Sequence, residues 1–148
     1  EWSLPLLQQQ VYTHPSQAPA ELQPMVNRML DADAYIMVSP EYNGSYTAAL
    51  KNLFDHFPKR MHKAFGIVTS SPGALGGIRA SQQMQLFIHA LFGIGSPYML
   101  ITPAADKKFD VEGNLIDPSF QKSIDLFVTE FLWLAEKLAV QEAAINKK

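Results

Sequence analysis

Two stretches of this chain carry side chains that could hold a flat, polar ligand. The first is Pro40-Glu41-Tyr42-Asn43-Gly44-Ser45-Tyr46. Pro40 ends an apolar run and lets the chain turn outward. Gly44 permits a close backbone approach or a positive φ. Asn43 offers a donor and an acceptor, Ser45 a hydroxyl, and Tyr42 and Tyr46 their aromatic faces. The second stretch is Ser70-Ser71-Pro72-Gly73-Ala74-Leu75-Gly76-Gly77. Its glycines and serines could aim backbone N–H groups at ligand oxygens, and the helix expected after it has an N-terminus that favours negative charge. Composition alone reads the first stretch as a turn and gives the second no particular ligand. Their places give both weight, because each follows an apolar strand and ligands of open parallel sheets bind outside the strands' carboxyl ends.

The elements that position these loops alternate short apolar runs with helical periods, the pattern of an α/β fold with a parallel sheet. Trp2 to Leu7 reads as the end of a strand, and Gln8 to Pro19 as a polar loop. Leu22, Met25, Val26, Met29 and Leu30 give helical spacing over 21–30. Ala34 to Ser39 reads as a strand buried on both faces. Thr47 to Phe57 reads as a helix stopped by Pro58, with Thr47 able to cap it. Ala64 to Ser70 is the next strand, Ile78 to Phe92 a helix, and Pro97 to Thr102 a third strand. Ala104 to Ile116 is charged and holds Glu112-Gly113-Asn114, an exposed hairpin or excursion. Asp117-Pro118 opens a last helix with Phe120, Ile124, Phe127, Phe131, Leu134 and Leu138 on one face. The final Asn146-Lys147-Lys148 is expected to fray. No repeat or linker divides residues 1–148, which read as one domain.

The 148 residues leave room for a real core, and 47% apolar with 18% charged residues is ordinary for a globular protein. A net charge of -2 with three scattered arginines sets nucleic-acid binding aside. No cysteine is present, which excludes thiolate metal sites and fits a reducing, cytoplasmic setting. No apolar run is long enough to span a membrane, and no leader segment is expected. His14, His56, His62 and His89 share no metal-ligand spacing and read as surface or packing residues. Lys51 and Asn52 suit a structural role as well as a ligand role. Arg79, just inside a helix N-terminus, could face a ligand or a neighbouring subunit. The helix over 78–92 is apolar on more than one side, with Leu86, Ala90 and Phe92 beyond the stripe of Met84, Phe87, Ile88 and Leu91. One stripe is enough for a surface helix, so the excess points to a subunit interface, with deep burial as the alternative.

Ser39-Pro40-Glu41-Tyr42-Asn43-Gly44-Ser45-Tyr46, then Ala49-Leu50-Lys51-Asn52 and Asp55, is similar to the flavin loop and following helix of the NADPH-dependent FMN reductases. That family includes quinone, chromate and azo-dye reductases. Thr69-Ser70-Ser71 with Gly76-Gly77-Ile78-Arg79-Ala80 resembles the family's next loop, and the element order matches along essentially the whole chain. The resemblance implies a flavodoxin-like three-layer α/β/α fold and a homodimer or homotetramer. It implies an enzyme that passes reducing equivalents from NADPH (or NADH) through bound FMN to a small-molecule electron acceptor. Nicotinamide and acceptor would use the exposed ring face in turn. It implies flavin contacts from Pro40, Glu41, Tyr42, Asn43, Ser45 and Ser70, and assigns no acid, base or nucleophile.

The chain departs from the family's pattern in three places. Thr47-Ala48 stands where Pro-Gly is usual, and His56 where a tryptophan is frequent. The family's first strand and serine-rich phosphate loop have no counterpart here. In a flavodoxin-like sheet of order 2-1-3-4-5 that strand is central. The expectation is therefore a domain lacking its first strand and helix, with the chain opening at the end of strand two. A flavin-free interaction protein of the same fold is the competing reading. An electron-carrying flavodoxin would be more acidic than this chain.

Overall fold

The computed structural model describes residues 4–7 and 11–145. Four parallel strands form one sheet: β1 (Ala34–Pro40), β2 (Ala64–Ser70), β3 (Ile94–Gly95) and β4 (Leu100–Thr102). Four helices accompany them: α1 (Gln23–Asp31), α2 (Ala48–Asp55), α3 (Ile78–Ala90) and α4 (Gln121–Ile145). β1 lies on one side of β2. On its other side β3 pairs the amino end of β2 and β4 its carboxyl end, so the two short strands share one edge. The expected strand over 97–102 is thus shorter, and β3 is an addition that two residues between Gly93 and Ser96 were too few to signal.

The sheet sits between two helical layers, as an α/β/α sandwich requires. On one face Tyr35, Met37, Phe65 and Ile67 pack with Phe54 of α2 and with Met84, Phe87 and Ile88 of α3. Phe65 has no exposed surface. Truncating so buried a phenylalanine costs about 3–5 kcal/mol. On the other face α4 lies directly on β2. A Cβ at Gly66 would come within 2.9 Å of Phe127, so only glycine lets the helix approach this closely. Phe120, Phe127 and Leu100 form a smaller core there with Val68 and Phe109 around it.

Local signals set the boundaries. Thr47 caps α2 by accepting from the Leu50 amide at 3.3 Å. Asp117 caps a short 3-10 turn over Pro118–Phe120, which leads into α4. The 104–116 excursion contains a hairpin bridge between Phe109 and Leu115. Asp110 accepts from the amides of Glu112 and Asn114 and from the Asn114 side chain. Those bonds hold its carboxyl below the usual carboxylate range.

Two expectations fail. β1 is not buried on both faces: Ile36 is 47% and Val38 63% exposed, while Tyr35, Met37 and Ser39 on the other face are buried. Among the described residues β1 pairs with β2 alone, and no helix covers its Ile36 side. Of the strand end expected over Trp2 to Leu7, Trp2 and Ser3 lie outside the described residues, and Leu4 to Leu7 is not in a strand. The segment is held by side chains of α2 and its cap. Asn52 accepts from the Leu7 amide at 2.9 Å and donates to the Pro5 carbonyl at 2.9 Å, where the His56 Nε2 also lies at 2.9 Å. Asn52 thus ties this segment to α2. His56 is buried and stacks on Tyr12 with centroids 5.3 Å apart. Asn146 to Lys148 lies outside the described residues.

Candidate functional site

The register of the sheet puts Pro40 beside Ser70 and Ser70 beside Thr102. These three residues form one row across the carboxyl edge, and a loop leaves each of them. The second and third loops are laced together. The Ser71 amide donates to the Thr102 carbonyl at 3.1 Å, the Ala104 amide to Gly73 at 3.2 Å and the Ala105 amide to Ser71 at 3.1 Å. The buried Thr69 hydroxyl donates to the Gly76 carbonyl at 2.8 Å and holds the second loop down over its own strand. The third loop, over 103–106, is a further rim that the sequence reading does not include. The same strand-end rule that marked the other two would have found it.

The first loop is a closed device. At its neck the buried Ser39 hydroxyl accepts from the Thr47 amide at 3.0 Å. At its tip the Tyr42 amide donates to the Ser45 carbonyl at 2.9 Å, and the Ser45 amide returns a bond to Tyr42 at 3.1 Å. Asn43 and Gly44 between them have φ of 51° and 80°. Positive φ at both central residues makes this a type I′ hairpin turn, the geometry that Asn-Gly favours. The side chains of Tyr42 and Asn43 therefore project into solvent, Tyr42 being 65% exposed. Pro40 is exposed and Ser45 half-buried beside them. Tyr46 is otherwise placed. Its ring stacks on Phe87 at 5.3 Å, with an interplanar angle of 14°, so one face belongs to the core. Burial pushes its phenol above the usual value.

Glu41 and Arg79 join the first loop to the second. The N-cap of α3 is Gly77, at φ 87°, where a Cβ would stand 2.8 Å from Thr69. Glycine fits that conformation but brings no side chain to cap with. Glu41 supplies the cap from 38 residues upstream: its carboxylate accepts from the Arg79 amide at 3.1 Å and the Ala80 amide at 3.4 Å. The other oxygen meets the Arg79 guanidinium at 3.3 Å. The α3 N-terminus thus already holds an anion, a protein carboxylate rather than a ligand. Several amides of the second loop are also satisfied internally, those of Ser71, Gly73 and Gly76 among them. Ala74 and Leu75, both exposed, have amides with no partner among the described residues.

Below the row lies a cavity of about 730 Å³, lined by Val38, Val68, Ser70, Thr102, Phe109 and Ile116 among others. Of the six residues singled out for flavin contact, Ser70 alone lines it. Pro40, Glu41, Tyr42, Asn43 and Ser45 rim the row above. The structure therefore gathers all six at one end of the sheet and divides them between two surfaces.

The profile of the family described as NADPH-dependent FMN reductase matches residues 2–106, which include β1, β2, α3 and both glycine-bearing loops. The chain belongs to that family. Among its curated relatives is an FMN-dependent NADPH-azoreductase of Staphylococcus saprophyticus. It is 33% identical over 75% of this chain and 61% of its own length. An Oryza sativa subsp. japonica protein named "Probable NADPH:quinone oxidoreductase 2" is 36% identical over 63% of this chain and 49% of its own. The chain thus spans about half to three-fifths of the length of these relatives. Among solved structures, FerB of Paracoccus denitrificans, a flavoenzyme NAD(P)H:(acceptor) oxidoreductase, superposes with a TM-score of 0.70 at 23% identity. That match covers 82% of this chain and 71% of FerB and speaks for the fold.

Proposed function

We propose that this protein is an FMN-dependent NADPH (or NADH) oxidoreductase acting on a small acceptor such as a quinone, azo compound, metal oxyanion or free flavin. The observation that carries this reading is the row Pro40, Ser70 and Thr102, with the exposed Asn43-Gly44 turn above it. The donor set fits the ring of FMN. The Asn43 amide, the hydroxyls of Ser45 and Ser70 and the backbone N–H groups of Ala74 and Leu75 match an edge of carbonyls and ring nitrogens. When bound, FMN supplies a carrier that accepts hydride from the nicotinamide and passes it on. The protein's part is to hold the ring edge and leave one ring face open. Pro40, Glu41, Tyr42, Asn43, Ser45 and Ser70 are the residues to which we assign the ring loop. Family membership favours this over a flavin-free interaction protein.

The phosphate of FMN needs a cradle that the described residues do not offer. We infer that an upstream strand and serine-rich loop supply it, the strand pairing with the free edge of β1 and its helix covering Ile36 and Val38. The greater length of the relatives supports the same reading. We further infer a homodimer or homotetramer, supported by the exposed Leu86 of α3 and Phe92 just past it, and a cytoplasmic setting, where reduced nicotinamide is available. No helix among the described residues is long and apolar enough to cross a membrane.

Titration of the apo-protein, extended upstream, with FMN tests the proposal. Quenching of flavin fluorescence at micromolar FMN, with NADPH then bleaching the bound flavin, is the expected result. No binding at that concentration would overturn it.

A further inference from the structure

The Glu41 side chain is turned away from the loop's exposed tip and into α3. It is 14% exposed, whereas Arg79 is 62% exposed. One carboxylate therefore does two things: it caps a helix that cannot cap itself and it anchors the loop expected to meet the ring. The Arg79 stem passes beside the hairpin tip, where a Cβ built at Gly44 would sit 3.7 Å from its Cδ.

We propose that Glu41 is a positioning residue for flavin binding, acting through the α3 N-terminus and Arg79 rather than by side-chain contact with the ring. The inference rests on the flavin reading given above and deepens it. Without the carboxylate, the Arg79 and Ala80 amides lose their acceptor and the Arg79 guanidinium loses its pair. Nothing else in the described hydrogen bonds ties the Tyr42–Ser45 turn to α3. The tip then keeps only the Ser39–Thr47 bond at its neck and the Tyr46–Phe87 stack, and shifts more readily relative to Ser70 and the second loop. A ring that must meet both loops at once binds less well, because ordering the loop is left to the moment of binding.

The test uses Glu41→Ala, Glu41→Asp and Glu41→Gln in the upstream-extended protein. FMN affinity is measured by fluorescence titration and loop order by amide hydrogen exchange in the apo form. Loss of a cap of this kind corresponds to roughly tenfold in an equilibrium. Glu41→Ala should therefore bind FMN about tenfold more weakly, and the amides of Tyr42, Ser45, Arg79 and Ala80 should exchange faster before any flavin is added. Glu41→Gln keeps an oxygen within reach of the two amides and should recover most of both losses. Should Glu41→Ala not fold, Glu41→Asp makes the same comparison, since its shorter reach withdraws the carboxylate from α3. Parent-like affinity in the Ala and Asp variants overturns the inference while leaving the flavin reading intact. Weakened affinity with unchanged apo exchange overturns it too, in favour of direct contact with the ring. A parent that binds no FMN overturns the flavin reading and this inference with it.

Discussion

Asn43 carries a side chain that faces solvent on a backbone that only a few residue types tolerate. Its φ of 51° costs an ordinary L-residue about 1–2 kcal/mol. Asn43→Ala would therefore remove the amide and strain the turn together, and any loss of flavin binding would be ambiguous. Asn43→Gly removes the amide and keeps the conformation, since glycine takes positive φ without cost. We predict that Asn43→Gly leaves the melting temperature of the apo-protein within a few degrees of the parent. It should weaken FMN binding by about 1–2 kcal/mol, the worth of one hydrogen bond to the ring. Calorimetry and fluorescence titration read the two effects. Equal affinity in variant and parent would remove Asn43 from the site.

Among the elements, α3 joins the two concerns of this molecule. Its N-terminus takes the Glu41 carboxylate, its inner face builds the core through Met84, Phe87 and Ile88, and its outer face leaves Leu86 64% exposed. Phe92, just past the helix, is exposed as well. A groove of about 460 Å³ between α2 and α3, lined by Lys51, Phe54, Lys59 and Phe87, runs alongside. Contiguous apolar surface marks contact with another chain, and Leu86 with Phe92 is where such a contact would centre. We predict a dimer or larger assembly by light scattering, and a shift toward monomer in Leu86→Glu. Phe87 is the wrong residue for that test. It is buried against Tyr46 and Phe54, so a charge there would unfold the domain rather than split a dimer. A monomeric parent would rule the interface out.

On the scale of the whole molecule, the sheet is well covered on the α2–α3 side and open beside β1 on the other. α4 covers β2 and β4, while Ile36 and Val38 face outward and the far edge of β1 has no strand partner among the described residues. An open strand edge leaves a row of unpaired N–H and C=O groups, and an apolar sheet face invites aggregation. Each such orphan group, if buried, costs about 1–3 kcal/mol against a total stability of about 5–15. We predict that the 148-residue chain alone melts broadly and binds FMN poorly, whereas the same chain extended upstream melts cooperatively and binds. A cooperative transition and equal FMN affinity in the short chain would show that residues 1–148 are a sufficient domain.

The alternation of apolar runs and helical periods determined the α/β class, and Ala64–Ser70 was legible residue for residue because a buried strand is a continuous apolar run ended by polar turn residues. Thr47, Asp117 and the Asn43-Gly44 turn were legible for the same reason, since caps and tight turns are local chemistry. What the sequence left open depended on partners distant along the chain. Ala34 to Ser39 reads the same whether one face is covered or two, because coverage is a property of neighbouring elements rather than of the strand. Glu41 and Arg79 lie 38 residues apart, and only the sheet register, which sets Pro40 beside Ser70, brings the carboxylate onto the α3 N-terminus. Asn52 and Tyr46 were likewise ambiguous until the fold gave Pro5 and Leu7 to one and Phe87 to the other. Pattern along the chain sets the backbone of the long, strongly patterned elements, such as β2 and α3. Which polar group meets which is decided by how the layers stack, and a side chain's type alone does not contain that information.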